Sequence, residues 1–308
     1  MIRTQALGMR YRVGFRMKKV TALNDLSIEV KKGEVFGFLG PNGAGKTTTL
    51  KILMGLIYPT SGKAWIMGKE LGDISVKHKV GFLPEQPYFY EYLTAEEFLD
   101  FYGRLFGMPK AERVKRIREL LEAVGLTDAR TRQLRRFSKG MLQRVGIAQA
   151  LINDPELVVL DEPMSGLDPI GRKEVRDIIL NLRDRGKTIF FSTHILPDVE
   201  VICDSVCILV GGELRASGAV HDLVGGLQTR SVEMAVEGLG EAGLARLSEL
   251  ANNVVVHGVQ ATAFFGDEVK AKAAKSFVCG SGAEIISLTP HKGSLEDIFV
   301  REVRGKKL

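Results

Sequence analysis

The stretch Gly40-Pro-Asn-Gly-Ala-Gly-Lys46-Thr47 constrains this chain more than any other, because its residues recur at the spacing of a P-loop, G-x-x-x-x-G-K-[ST]. Such a loop works only between a strand and a helix N-terminus, where backbone N–H groups turn inward and the helix dipole adds a positive field. The flanks supply both. Residues 27–30 and 34–39 are short apolar runs split by Lys-Lys-Gly, and they read as strands around a turn. Residues 46–56 place Leu50, Leu53 and Met54, with Ile57 beyond, at helical spacing. In that frame Lys46 holds the β- and γ-phosphates of a nucleotide and Thr47 a Mg²⁺ ion. Kinases, GTPases, helicases and transporters share this loop, so other residues must choose among them.

Two further strand ends carry candidates. Leu157-Val-Val-Leu160 is an apolar run closed by Asp161 and Glu162, which puts two carboxylates at the edge of a parallel sheet beside the loop, a Walker B arrangement. Asp161 then organises Mg²⁺ and Glu162 polarises the attacking water as general base. On their own, two acids at a strand end also fit a solvated turn. Thr188-Ile-Phe-Phe-Ser-Thr193 is a second buried strand, and His194 follows it directly, near the same edge.

Composition limits the setting. The longest apolar runs are far shorter than the roughly 20 residues that cross a hydrocarbon core, and no secretory leader is visible at the N-terminus. A cytosolic protein is expected. Cys203, Cys207 and Cys279 lack metal-ligand spacing and read as buried or half-buried thiols. The formal charge of +6 suits polyphosphates, anionic lipid and nucleic acid alike.

Residues 94–107 and 111–124 read as amphipathic helices, the first with a capping box at Thr94, and 171–185 as the helix between two strands. Gly211-Gly212 marks a tight hairpin, and the residues around 221–226 a boundary. Beyond it, strand-like runs at 232–236, 254–256 and 285–288 alternate with helix-like stretches that hold no cluster of catalytic residue types.

Phe137-Ser-Lys-Gly-Met141, followed by Leu142-Gln143-Arg144, resembles the signature motif of the ATP-binding cassette (ABC) family at a helix start. Pro163-Met-Ser165-Gly-Leu-Asp168-Pro is similar to its D-loop, Gln86 in Pro84-Glu-Gln-Pro to its Q-loop, and residues 55–62 to another stretch typical of it. The likeness covers about the first two-thirds of the chain. It departs from the usual Leu-Ser-Gly-Gly-Gln at Phe137, Lys139 and Met141. For Lys139 two readings stay open, a positive charge near a phosphate or a side chain in solvent.

The resemblance implies an α/β fold with a P-loop NTPase core on a mixed sheet, an antiparallel β subdomain, an inserted helical subdomain at about 88–156 and a small α+β C-terminal domain. The ATPase domain is expected at 1–222 and the accessory domain at 223–308. Nucleotide contacts fall on Asn42, Gly43, Ala44, Gly45, Lys46, Thr47 and Thr48, with Tyr11, or its rival Phe15, stacked on adenine. Thr47, Gln86 and Asp161 belong to the Mg²⁺ site, and Glu162, His194 and Gln86 to hydrolysis. Each site is completed by Ser138 and Gly140 of a second copy or of a homologous ATPase subunit, in a head-to-tail pair coupled through Asp168. Such pairs drive separate transmembrane permease subunits from the cytosolic face of the cell membrane, docked on the helical subdomain.

The residues 294–302 are similar to the end of accessory domains on exporter-type members, which favours export, although Ser294 and Asp297 also read as a plain helix cap. Basic runs at 110–118 and 130–136 read as solvated helix faces, and no specific nucleic acid is expected. A soluble ABC ATPase acting on ribosomes or DNA is the alternative, but one P-loop and no sustained heptads count against it. A small-molecule kinase leaves Ser138, Gly140 and His194 without roles.

Overall fold

The computed structural model describes residues 1–14, 18–225, 231–291 and 294–305. It divides into one compact unit of Met1–Val220 with Glu302–Leu308 and a second of His221–Arg301.

The first unit holds two sheets. β1 (Ile2–Val13), β2 (Lys18–Leu26) and β3 (Glu29–Val30) join β5 (Ser61–Ile66) and β6 (Lys69–Glu70) in an antiparallel sheet ordered β2-β1-β5-β6, with β3 against β1. β4 (Val35–Leu39), β7 (Val80–Leu83), β8 (Leu157–Asp161), β9 (Thr188–Thr193), β10 (Ser205–Val210) and β11 (Glu213–Ala219) form a mixed sheet ordered β11-β10-β4-β9-β8-β7. Only β11 runs antiparallel to its neighbour. β4, β8 and β9 are buried at every position, so their sequences are continuous apolar runs rather than alternations. Phe190 of β9 packs between Phe36 and Phe38 of β4, with ring centroids 5.6 and 5.4 Å away. α1 (Lys46–Leu53) lays Leu50, Ile52 and Leu53 into the same core.

Between β7 and β8 lie α2 (Ala95–Leu105), α3 (Lys110–Ala123) and α4 (Lys139–Ala150), packed on one another. Thr94 caps α2 in a reciprocal box with Glu97, a contact class that contributes about 1 kcal/mol. α5 (Pro169–Asp184) and α6 (Leu196–Ile202) connect β8 to β9 and β9 to β10. Asp198 of α6 is buried and pairs with Arg176 of α5 at 3.2 Å.

After a short helix α7 (Val220–Gly225), the second unit runs β12 (Ser231–Glu237), α8 (Glu241–Leu250), β13 (Asn253–His257), β14 (Gln260–Phe265), α9 (Glu268–Ser281) and β15 (Glu284–His291). Its antiparallel order, β13-β14-β12-β15, gives the β-α-β-β-α-β connectivity of ferredoxin-like folds. Val232, Met234, Val236, Ala263 and Phe265 alternate inward against Leu247, Ala274 and Val278 of the helices. α10 (Leu295–Arg304) follows, with Ser294 and Asp297 bonded reciprocally at its start.

Three readings change. The helix after the loop stops at Leu53, because Gly55 turns to a φ of 68°. β1, β2, β5, β6, β7 and β14 have no counterpart among the strands expected from the sequence. Cys279 is exposed on α9 rather than buried, whereas Cys207 is buried and Cys203 half-buried.

Candidate functional site

Three strand ends set the site. Leu39 pairs with Thr193 across β4 and β9, and Asp161 pairs with Ser192 across β8 and β9, all in parallel register. The glycine-rich loop, Glu162 and His194 therefore leave the same sheet edge within one residue of each other, where ligands gather in open α/β sheets.

The loop needs its glycines for different reasons. Gly43 has a φ of 79°, in the left-handed region. Gly45 has a φ of 108°, and a Cβ there would lie 2.5 Å from the Ala22 carbonyl oxygen. Lys46 follows at the first turn of α1, 6% exposed. Its Nζ donates to the Gly40 carbonyl at 2.6 Å and lies 3.2 Å from Glu162 Oε1.

Glu162 is 8% exposed, and its second oxygen, Oε2, is 2.9 Å from His194 Nδ1. One carboxylate thus links the loop lysine to the histidine beyond the neighbouring strand. Its backbone takes a φ of 50°, which costs an L-residue roughly 1–2 kcal/mol. The Glu162 N–H offsets that cost by donating to both the carbonyl and the hydroxyl oxygen of Ser192, at 3.2 and 2.9 Å.

Ser192 also fixes Asp161. Its hydroxyl proton goes to Asp161 Oδ1 at 2.5 Å, so one buried side chain donates to one acid and accepts from the backbone of the next. Burial pushes the Asp161 carboxyl above its usual value, hydrogen bonds from Ser192 and Thr47 pull it down, and the charges of Glu85 and Glu162 push it up again. Thr47 and Asp161 are hard oxygen donors in contact, with two further carboxylates, Glu85 and Glu162, close by. That donor set and that excess of negative charge fit Mg²⁺.

A cavity of about 360 Å³ opens above these groups, lined by residues 41–48 with Ala22, Glu85, Glu162, Ser165 and His194. It gathers Asn42, Gly43, Ala44, Gly45, Lys46, Thr47 and Thr48, with Asp161 buried outside its lining. Tyr11 lies outside the lining, its hydroxyl 3.4 Å from that of Thr48. Phe15 falls outside the described residues. Gln86 is exposed and does not line the cavity; its neighbour Glu85 does. Ser138 caps α4 by accepting from the Met141 N–H at 3.3 Å, and it and Gly140 lie outside the lining. Glu85 and Ser165 belong to the Q-loop-like and D-loop-like stretches but were not expected in the site, and neither was Ser192. Ser192 did leave a signal, as a polar residue inside an otherwise apolar, β-branched run just before His194.

The ABC transporter family matches residues 23–165. An uncharacterized ABC transporter ATP-binding protein of Synechocystis sp. is 49% identical over 308 residues, covering 99% of this chain and 85% of its own. The bacitracin transport ATP-binding protein BcrA of Bacillus licheniformis is 37% identical over 291 residues, 92% of this chain and 93% of its own. Among solved structures, a dimeric post-hydrolysis state of the ATP-binding cassette MJ0796, bound to ADP and Pi, superposes with a TM-score of 0.65 at 27% identity, over 71% of this chain and 98% of the other.

Proposed function

The chain belongs to the ABC transporter family as an ATP-binding subunit that hydrolyses ATP, and we propose that it works as a head-to-tail pair that drives export through a separate permease. The observation that carries this reading is the Glu162 carboxylate, held between Lys46 and His194 at the mouth of the phosphate loop.

The backbone N–H groups of residues 42–48 and the Lys46 ammonium bind the β- and γ-phosphates. A polyphosphate competes with Glu162 for that ammonium, so its arrival frees Oε1 to accept a proton from the attacking water. His194 holds Oε2 and keeps the carboxylate aimed. Thr47 and Asp161 would hold Mg²⁺, which would supply positive charge to neutralise the phosphates. Tyr11, beside Thr48, stacks on adenine, and Gln86, next to Glu85, links the site to the helical subdomain. Ser138 and Gly140 close over the γ-phosphate bound by the second copy, a geometry consistent with their position outside their own chain's cavity.

Among the described residues no helix is long and apolar enough to cross a membrane; in this proposal the cargo path lies in a membrane-spanning partner and this chain sits at the cytosolic face of the cell membrane. A hollow of about 720 Å³ lies away from the phosphate loop, on the helical subdomain, with Tyr90, Tyr92 and Phe101 in its wall. Tyr88 nearby is 80% exposed. Apolar area of that kind suits a docked permease. Similarity to a protein named for bacitracin transport supports a transport role, and the accessory-domain likeness at residues 294–302 favours export. Fractionation of cells that carry the chain together with a candidate multi-span permease tests the reading. The chain is expected with the membranes and is released when that protein is deleted; recovery only away from the membranes, with or without it, contradicts the proposal.

A further inference from the structure

Lys139 stands at the first position of α4, where the helix dipole disfavours a cation by about 0.3–1 kcal/mol. No acidic residue occupies that first turn to offset it. Among the described residues, no hydrogen bond or ion pair holds its ammonium.

What the side chain does touch is Gly166. A Cβ built on Gly166 would lie 3.3 Å from Lys139 Cε and 4.0 Å from Cδ, and it would collide with Nζ. The lysine therefore lies across the bare face of that glycine, which is open because Gly166 has no side chain. Gly166 has a φ of 66°, a backbone conformation that itself favours glycine.

The two ends of this contact belong to different parts of the site. Ser138, the residue before Lys139, caps α4. Ser165, the residue before Gly166, lines the nucleotide cavity, and its N–H donates to the Glu162 carbonyl at 3.1 Å. Two residues beyond Gly166, Asp168 caps α5 by accepting from the Gly171 N–H. A shift of α4 against the 163–168 loop is thereby felt one residue from the cavity wall.

We propose that Lys139 is a positioning residue: laid across Gly166, it registers the start of α4 against the 163–168 loop, so that the groups closing a second copy's site move with those of the chain's own. The coupling half of this statement rests on the head-to-tail pairing proposed above. The contact half does not. Lys139 takes no part in the chemistry and acts through Gly166 and Ser165.

Amide hydrogen exchange on the full chain tests the contact. In Lys139→Ala, exchange at residues 164–168 is expected to speed up about fivefold, and Lys139→Arg, which can still cover the glycine, restores the parent rate. Parent-like protection in Lys139→Ala overturns the proposal.

ATP-driven dimerisation in a Glu162→Gln background tests the consequence. Lys139→Ala is expected to raise the ATP concentration for half-maximal dimer about fivefold while monomer affinity for ATP stays unchanged. The cycle of Lys139→Ala, Gly166→Ala and the double variant separates the contact from the strain alanine meets at position 166. Effects that combine to less than their product support the proposal. Independent, multiplying effects overturn it, and so does a Lys139→Ala effect with none in Gly166→Ala, which would mean that the lysine reaches the second copy's nucleotide directly. If the Glu162→Gln parent fails to dimerise, the pairing falls while the exchange result still decides the contact.

Discussion

Ser192→Ala removes one oxygen atom from a fully buried position and, with it, the hydroxyl shared by the two acids of the site. The Glu162 N–H keeps a partner, since the Ser192 carbonyl still accepts from it at 3.2 Å. Asp161 Oδ1 loses a donor with no replacement from water, because Asp161 is 1% exposed. A hydrogen bond to a charged group contributes about 1.5–3 kcal/mol, so the variant is expected to lose about 2 kcal/mol of stability.

The loss has a pH signature. The Ser192 bond pulls the Asp161 pKa down against burial, so its removal raises that pKa further. The folded variant then binds protons more readily than the parent does. Its deficit is small where Asp161 is protonated and grows as pH rises through the carboxylate range. Hydrolysis should fall about tenfold, because both acids lose their common support. The chain has a single tryptophan, Trp65, in β5 of the first unit, so urea unfolding followed by its fluorescence reports that unit alone. An unfolding free energy within about 0.5 kcal/mol of the parent's, together with parent-like turnover, would refute the reasoning.

Lys46→Ala removes the ammonium that Gly40 and Glu162 hold, and should weaken ATP binding about 10- to 100-fold by fluorescent-nucleotide titration. His194→Ala should leave that affinity nearly unchanged while steady-state hydrolysis drops about 100-fold, since only the carboxylate's orientation is lost. Arg176→Ala strands the buried Asp198, whose Oδ2 already lacks a partner among the described residues, and should cost about 3 kcal/mol at neutral pH. Burial raises the Asp198 pKa, the charges of Arg176 and Arg172 lower it, and loss of one arginine raises it further. The Arg176→Ala deficit should therefore shrink as pH falls, and Asp198→Asn should be nearly neutral.

The phosphate loop, the acid pair and His194 were legible because buried parallel strands carry continuous apolar runs, and the chemistry sits at their ends. The capping box at Thr94 and the Gly211-Gly212 hairpin were legible for a similar reason, being local patterns read within a few residues. β1 and β2 were not. Their antiparallel sheet leaves one face polar, and Arg3, Gln5, Arg10, Lys18 and Lys19 dilute the apolar signal of Ile2, Leu7 and Leu23. β14 was hidden by the small size of Ala261 and Ala263, which pack inward without marking an apolar run. The bonds that Ser192 makes and the Lys139–Gly166 contact were beyond sequence reasoning for another cause. Both depend on residues 27 or more apart brought together by strand register or helix placement, and nothing in spacing announces them.

The central claim is that Glu162 activates water at a site completed by a second copy. Glu162→Gln keeps the shape and a hydrogen-bond partner for Lys46 and His194 but removes the base. Light scattering on the size-fractionated variant with Mg-ATP, beside a hydrolysis assay on the same sample, measures both halves of the claim. The account predicts a stable dimer of two 33.9 kDa chains with hydrolysis reduced at least 100-fold; a monomer that turns over ATP at the parent rate would contradict it.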